Sequence, residues 1–199
     1  MTVFLDEIKI EPRSKEIERE ITHKWDLLDK PQKSLGNIEK MVAKYAAMVG
    51  SEFPGELKAA MLLMCGDHGI AKYGVSAYPP EVTIQMINGY VRGTAGANVM
   101  ARHANTDLFV VDVGVNADLS NLKYVRNEKV ALGTEDLTKG PAMTKDQAIK
   151  GIQAGIKVAD ECIDRRYNLL VTAEMGIGNT TSTAAIASAM LKLEPELTV

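Results

Sequence analysis

The sequence predicts an α/β protein, a Rossmann-like parallel sheet flanked by helices with a small N-terminal helical subdomain. Three observations predict it. First, three short apolar runs, KAAMLLMCG from residue 58, TDLFVVDVGV at 106–115 and NLLVTAEMGIG at 168–178, each run into a polar, glycine-bearing loop or turn. Continuous apolar strands of this kind are buried on both faces, as in a parallel sheet covered by helices. Second, helical stretches at about 80–92, 94–104, 144–165 and 179–192 alternate with those runs, the order of a doubly wound domain. Third, the texture before residue 57 is purely helical and amphipathic.

In chain order, residues 14–29, SKEIEREITHKWDLLD, place Ile17, Ile21, Trp25 and Leu28 at steps of three and four, one face of a helix. Lys30-Pro31 ends it, because proline disfavours helical geometry in the residue before it. A turn at Gly36 leads into a second helix over about 37–49. The loop GSEFPGE, 50–56, marks a boundary, so 1–56 reads as the helical subdomain and 57–199 as the Rossmann-like domain. In such sheets ligands sit beyond the carboxyl ends of the strands. The loops at 65–69, 112–116 and 173–180 are therefore expected to share one rim.

Composition narrows the partners. Lys+Arg 23 against Asp+Glu 26 gives a net charge of -3, which argues against a nucleic-acid backbone as partner. Aromatic residues at 5% argue against a base-stacking surface as well. No run approaches the roughly 20 apolar residues of a membrane span. The start MTVFLDEIKIEPRSKEIERE is charged too early for a signal peptide. Cys65 and Cys162 form no CxxC, so neither a disulfide nor a zinc site is expected and a reducing cytoplasm is the expected location. At the end of an apolar run, Cys65 reads as a packed thiol.

Three stretches carry chemistry. In Ala173-Glu174-Met175-Gly176-Ile177-Gly178-Asn179-Thr180-Thr181 a strand runs through two glycines into a helix start that Asn179 or Thr180 can cap. The outward amides and helix dipole there suit a phosphate. The plain structural alternative is a tight strand-to-helix turn. Glu174 would repel phosphate but suits ribose hydroxyls or a ring N–H. In Cys65-Gly66-Asp67-His68-Gly69-Ile70, Asp67 and His68 offer a metal pair or an acid/base pair. The favoured alternative is that they shape the rim loop through hydrogen bonds, with no metal. In Gly74 to Asn88, Tyr78, Gln85 and Met86 offer a pocket for a planar aromatic ligand. The alternative is a plain capped helix whose Val82, Met86 and Val99 face the core.

Together these stretches carry a resemblance. CGDHGIAKYGVSAYPPEVTIQM, GTAGANVMARHA, VVDVGV, GPAMTKDQA and AEMGIGNTTSTAAI occur in that order, after LDKPQKSLGNIEK. The sequence resembles the nicotinate-nucleotide–dimethylbenzimidazole phosphoribosyltransferase (CobT) family, over nearly all the chain from Leu28 to Leu191. The resemblance implies phosphoribosyl transfer from nicotinate mononucleotide to 5,6-dimethylbenzimidazole. The products would be nicotinate and α-ribazole 5'-phosphate, made for the lower nucleotide loop of cobalamin with inversion at the anomeric carbon. It implies a homodimer with no metal and no organic cofactor.

It also implies residue roles. Ser76, Tyr78, Gln85 and Met86 would line the base pocket. Met175, Gly176, Ile177, Gly178, Asn179 and Thr180 would hold the nucleotide, with Glu174 as the candidate catalytic carboxylate near the reacting centre. The family's general-base glutamate follows a "GRGTG"-like loop expected beyond Val199, so the chain is expected to be the N-terminal portion of the family fold. The competing classes are a non-catalytic base- or nucleotide-binding module, a split-enzyme subunit, and a metal-dependent phosphohydrolase built on Asp67, His68 and Asp112.

Overall fold

The computed structural model describes residues 9–199, so the first part of the charged start, read above as unlike a signal peptide, lies outside the described residues. The chain divides into two compact units, one ending at Glu56 and the other spanning Leu57–Val199.

The first unit is a pair of packed helices. Helix α1, Lys15–Leu27, begins where the Ser14 hydroxyl accepts the Ile17 amide at 3.2 Å. Helix α2, Asn37–Val49, stops at Gly50, whose φ of 73° suits a residue without a Cβ. The core of the pair is Ile21, Ala43 and Ala46, with Ile17 and Trp25 against them. Leu28, expected on the same stripe, is instead the helix C-cap with extended backbone and is exposed. The i, i+4 and i+7 spacing of Glu39, Ala43 and Ala46 turns the small face of α2 inward and leaves Ile38, Met41 and Met48 exposed.

The second unit is an α/β fold built on a four-stranded, all-parallel sheet. Its strands are β1 (Ala59–Gly66), β2 (Thr106–Gly114), β3 (Val125–Asn127) and β4 (Leu169–Met175), in the order β3-β2-β1-β4. The three apolar runs are β1, β2 and β4. The three-residue β3 has no sequence expectation behind it, and it pairs only with Val110 to Asp112. Between the strands lie α3 (Val82–Arg92), α4 (Gly96–His103) and α5 (Lys145–Asp164), and α6 (Asn179–Leu191) follows β4. A 3-10 turn, Gly69–Tyr73, follows β1.

Strand alternation divides the core into two layers. Ala60, Leu62 and Val111 pack with Val158 and Cys162 of α5 and with Tyr167. Leu63, Cys65 and Val110 pack with Ile87 of α3, Val115 and Leu119. On α3 the buried positions are Thr83 and Ile87, not Val82 and Met86, and Val99 of α4 is exposed.

Register positions the site. Cys65 pairs with Asp112 on one side and with Met175 on the other, so β1, β2 and β4 end level. Helix α5 starts with a capping box between Thr144 and Gln147. Among the described residues no helix is long and apolar enough to cross a membrane.

Ile87 is fully buried between α3 and the sheet. Ile87→Ala is expected to cost about 2–5 kcal/mol in urea unfolding. The same change at exposed Ile186 should stay within about 0.5 kcal/mol.

A candidate active site at the strand ends

The level strand ends open onto a cavity of about 280 Å³. Its sheet side is Met64 to His68, Val113, Gly114 and Glu174, and its walls are the loop around Val130 to Thr134, Met143 and the first half of α5. Alternation along β4 fixes which way Glu174 points. Leu170 packs in the α5 layer, and Glu174, two pairs of residues further on, lies on that same face. The register sets it beside Met64 of β1.

The cavity exists because of the sequence of α5. One face of this helix carries Val158 and Cys162 in its second half, and these fill the space over the sheet. The first half carries Ala148, Gly151 and Gly155 at three- and four-residue steps, all lining the cavity. A Cβ added to Gly151 or Gly155 would meet nothing within 4 Å. Large residues therefore close one end of the layer and small ones leave the other end open.

Around Glu174 the polar groups converge. Its Oε2 accepts from the Asn179 side-chain amide, and its Oε1 lies 3.5 Å from His68 Nε2. His68 Nδ1 is 3.0 Å from the Ser182 hydroxyl. Asp67 accepts the Asn116 amide at 2.8 Å, tying the β1 loop to the β2 loop. Asp67 and His68 thus shape the rim through hydrogen bonds, as the simpler sequence reading has it. Asp112, 2% exposed, is committed elsewhere, to Lys129 at 3.1 Å and the Val115 amide at 2.9 Å. Asp67, His68 and Asp112 therefore do not assemble as a ligand set, and among the described residues no three His, Cys, Asp or Glu side chains are placed to hold a metal ion. Cys65 is buried, and desolvation, helped by the charges of Glu174, Asp112 and Asp67, pushes its thiol pKa up to about 12. It is a packed thiol, not a nucleophile.

The glycine turn after β4 is packed tightly. A Cβ on Gly176 would collide with the Gly66 carbonyl oxygen and stand 2.9 Å from both Glu174 Oε1 and His68 Cδ2. The Ile177 amide donates to the Oγ1 of buried Thr83 at 3.1 Å, and the Asn179 amide donates to the Gly176 carbonyl at 3.1 Å. The helix cap differs from expectation. Gly178, at φ 90°, is the N-cap of α6, and Asn179 and Thr180 are already helical. Only glycine adopts that conformation freely, so the helix begins earlier, and the Asn179 side chain is left to reach Glu174. Met175 packs into the α3 layer, while Asn179 and Thr180 border an open groove along α6 that also includes Val75.

Ser76, Tyr78, Gln85 and Met86 do not line the strand-end cavity. Tyr78 is 64% exposed and Gln85 is exposed, while Met86 and Ser76 are half-buried. The residues nearest the rim are instead Pro80 and Glu81, just before α3, and Ile84 in its first turn, which line a second hollow of about 360 Å³. That hollow shares Asp67, His68, Gly133 and Thr134 with the first. Its far side is held by Asp136, whose carboxylate takes the Thr138 hydroxyl at 2.6 Å, the Tyr73 hydroxyl at 2.7 Å and Lys72 at 3.0 Å. Those partners, Thr138 first, hold the Asp136 pKa well below the usual carboxylate range. Sequence reasoning missed the lining contributed by Val130 to Thr134, Met143, Gln147, Ala148, Gly151 and Gly155. The available signal was the small-residue spacing in α5.

A family profile described as phosphoribosyltransferase matches residues 10–199. The chain is 45% identical over 165 residues to the nicotinate-nucleotide–dimethylbenzimidazole phosphoribosyltransferase of Chloroflexus aggregans, covering 83% of this chain and 47% of that protein. It is 46% identical over 166 residues to the protein of the same name from Desulfotalea psychrophila, covering 82% and 46%. The crystal structure of the protein of that name from Thermus thermophilus superposes with a TM-score of 0.86 at 38% identity, over 92% of this chain and 56% of that one. The chain spans about half the length of the curated relatives it matches.

Two glycines, one in the turn after β4 and one lining the cavity from α5, should respond oppositely. Gly176→Ala is expected to cost about 3 kcal/mol, since backbone is what it strikes. Gly151→Ala, with open space and a helical position, should stabilise by about 0.5–1 kcal/mol in the same unfolding experiment. Asp136 gives a pH test. A depressed carboxylate contributes stability above the ordinary aspartate pKa and loses it as pH falls through its folded value. The stability gap between the protein and Asp136→Asn should therefore be full at about pH 6 and shrink below about pH 4.

Proposed function

The chain belongs to the phosphoribosyltransferase family, and from that premise we propose that its strand-end site serves phosphoribosyl transfer from nicotinate mononucleotide to 5,6-dimethylbenzimidazole or a similar base. The observation that carries the reading is a carboxylate, Glu174, at the mouth of a mostly apolar cavity and one residue from a glycine turn that opens a helix. Such a site can hold a flat ring and a sugar phosphate side by side.

In this reaction the bond between the anomeric carbon and the pyridine nitrogen breaks, and nicotinate leaves with the electron pair. A ring nitrogen of the base attacks the opposite face, and the base then gives up the proton of its other ring nitrogen. Positive charge grows on the ribose as nicotinate departs, and Glu174 stabilises it electrostatically. A carboxylate is also the natural acceptor of the proton the base releases. The nucleotide side is Met175 to Thr180, where α6 begins and its unpaired first-turn amides, with the positive end of the helix dipole, favour a phosphate. The base side is the stretch from Ser76 to Met86, which lies outside the strand-end cavity itself but whose Pro80, Glu81 and Ile84 line the adjoining hollow that shares Asp67 and His68 with it. The same reading has the protein act in the cytoplasm as a homodimer, with no metal or organic cofactor.

The test is incubation of the chain with nicotinate mononucleotide and dimethylbenzimidazole, followed by chromatography for nicotinate and ribazole phosphate. Product formation supports the reading, and Glu174→Gln should then lower kcat/KM about 100-fold while moving Tm by less than about 2 °C. Binding of either substrate with no product from the chain would replace the transfer reading with that of a binding module.

A further inference from the structure

We propose that His68 is a positioning residue for Glu174, locked for that task by Ser182. The proposal deepens the transfer reading of this site and rests on it. The geometry comes from three elements. His68 leaves the end of β1, Glu174 the end of β4, and Ser182 the first turns of α6. The imidazole is mostly enclosed, its side chain 19% exposed, and both of its nitrogens face polar atoms. An ionised carboxylate only accepts hydrogen bonds, so the nitrogen facing Glu174 must carry the proton. That assigns the Nε2–H tautomer to neutral His68 and leaves Nδ1 as an acceptor for the Ser182 hydroxyl at 3.0 Å. Ser182 has one competing acceptor, the Gly178 carbonyl, at 3.5 Å, and the imidazole is the nearer.

Each oxygen of Glu174 then has its own donor, the Asn179 amide on Oε2 and His68 on Oε1. One lone pair on each oxygen stays available for the substrate. Held from both sides, a side chain that is 44% exposed keeps one direction at the cavity mouth. The cavity makes room for this arrangement at a specific place. The bare Cα of Gly176 sits where a Cβ would stand 2.9 Å from both partners. The other charged groups lining the hollows on either side of His68 are Asp67, Lys72, Glu81, Glu135 and Asp136. Of the carboxylates among these and Glu174, it is Glu174 that comes within 4 Å of an imidazole nitrogen of His68.

The decisive experiment does not need turnover. The chain has 3 histidines, so 15N spectra of labelled protein at about pH 8, where histidine is neutral, resolve each ring, and loss of one set in His68→Gln assigns His68. The expected spectrum shows His68 as the Nε2–H tautomer. Ser182→Ala should shift it toward a mixture without moving the other two rings. An Nδ1–H tautomer in the unaltered protein, or no response to Ser182→Ala, overturns the proposal.

Turnover supplies the second arm. His68→Ala should lower kcat about tenfold, the worth of one hydrogen bond to a charged group, with KM for nicotinate mononucleotide changed by less than about twofold. His68→Gln, whose amide can reach the Nε2 position, should recover most of that loss. Equal kcat in His68→Ala and the parent overturns the positioning role. If the parent itself makes no product, the transfer reading fails, and the tautomer alone decides whether His68 is locked toward Glu174.

Discussion

Everything at the site depends on β1 being paired in parallel register on both edges. Ala59 to Cys65 bond β2 on one side and β4 on the other, so Cys65, Asp112 and Met175 end at one level. From that level the chain can only go outward, and three polar loops leave the sheet together. The constraint extends one residue further. β1 ends in Gly66, where its register with β2 shifts, and the Gly66 carbonyl lies where a Gly176 Cβ would be. The turn after β4 can therefore fold back across the end of β1 only because residue 176 has no side chain. That close crossing carries Glu174 to His68.

Ion pairs anchored on buried carboxylates then fix the loops that the sheet releases. Lys129 reaches under the β2 exit to Asp112 and to the carbonyls of Val115 and Ala117. Removing one partner of such a pair leaves an uncompensated charge in a poorly solvated place, which makes the arrangement a strong geometric constraint. On the other side, Asp136 gathers Thr138, Tyr73 and Lys72, and Gly69 fits against the Thr134–Glu135 backbone with no space for a Cβ. The cavity walls are thus built by charge pairing and close backbone approach, while the floor is built by strand register.

The two halves of α5 show how one helix can both stabilise a fold and leave a site in it. Val158 and Cys162 bury their side chains over the sheet, and their burial holds the helix in place. Ala148, Gly151 and Gly155 on the same face contribute no bulk, so the sheet below them stays uncovered. Protein interiors pack densely, and a void of this size at the strand ends is maintained only where the residues around it are small and their backbones held from elsewhere.

The sequence by itself determined the α/β class, the three main strands, their helices and the common rim. Those features follow from local pattern, since apolar runs, helical periodicity and glycine-bearing turns are read over ten residues or fewer. It also placed Glu174 and the glycine turn at a strand-to-helix junction, because such a junction is local too. The family motifs named the region Ser76 to Met86, but no local pattern tells how the start of α3 meets the rim, and the structure turned Pro80 and Glu81, ahead of the helix, and Ile84 in its first turn toward it. Strand β3 was illegible because three residues have no periodicity. The pairing of His68 with Glu174 and Ser182, over 106 and 114 residues of separation, was decided only by tertiary structure. Contacts between loops of different strands depend on register and crossing geometry, and those are properties of the assembled sheet.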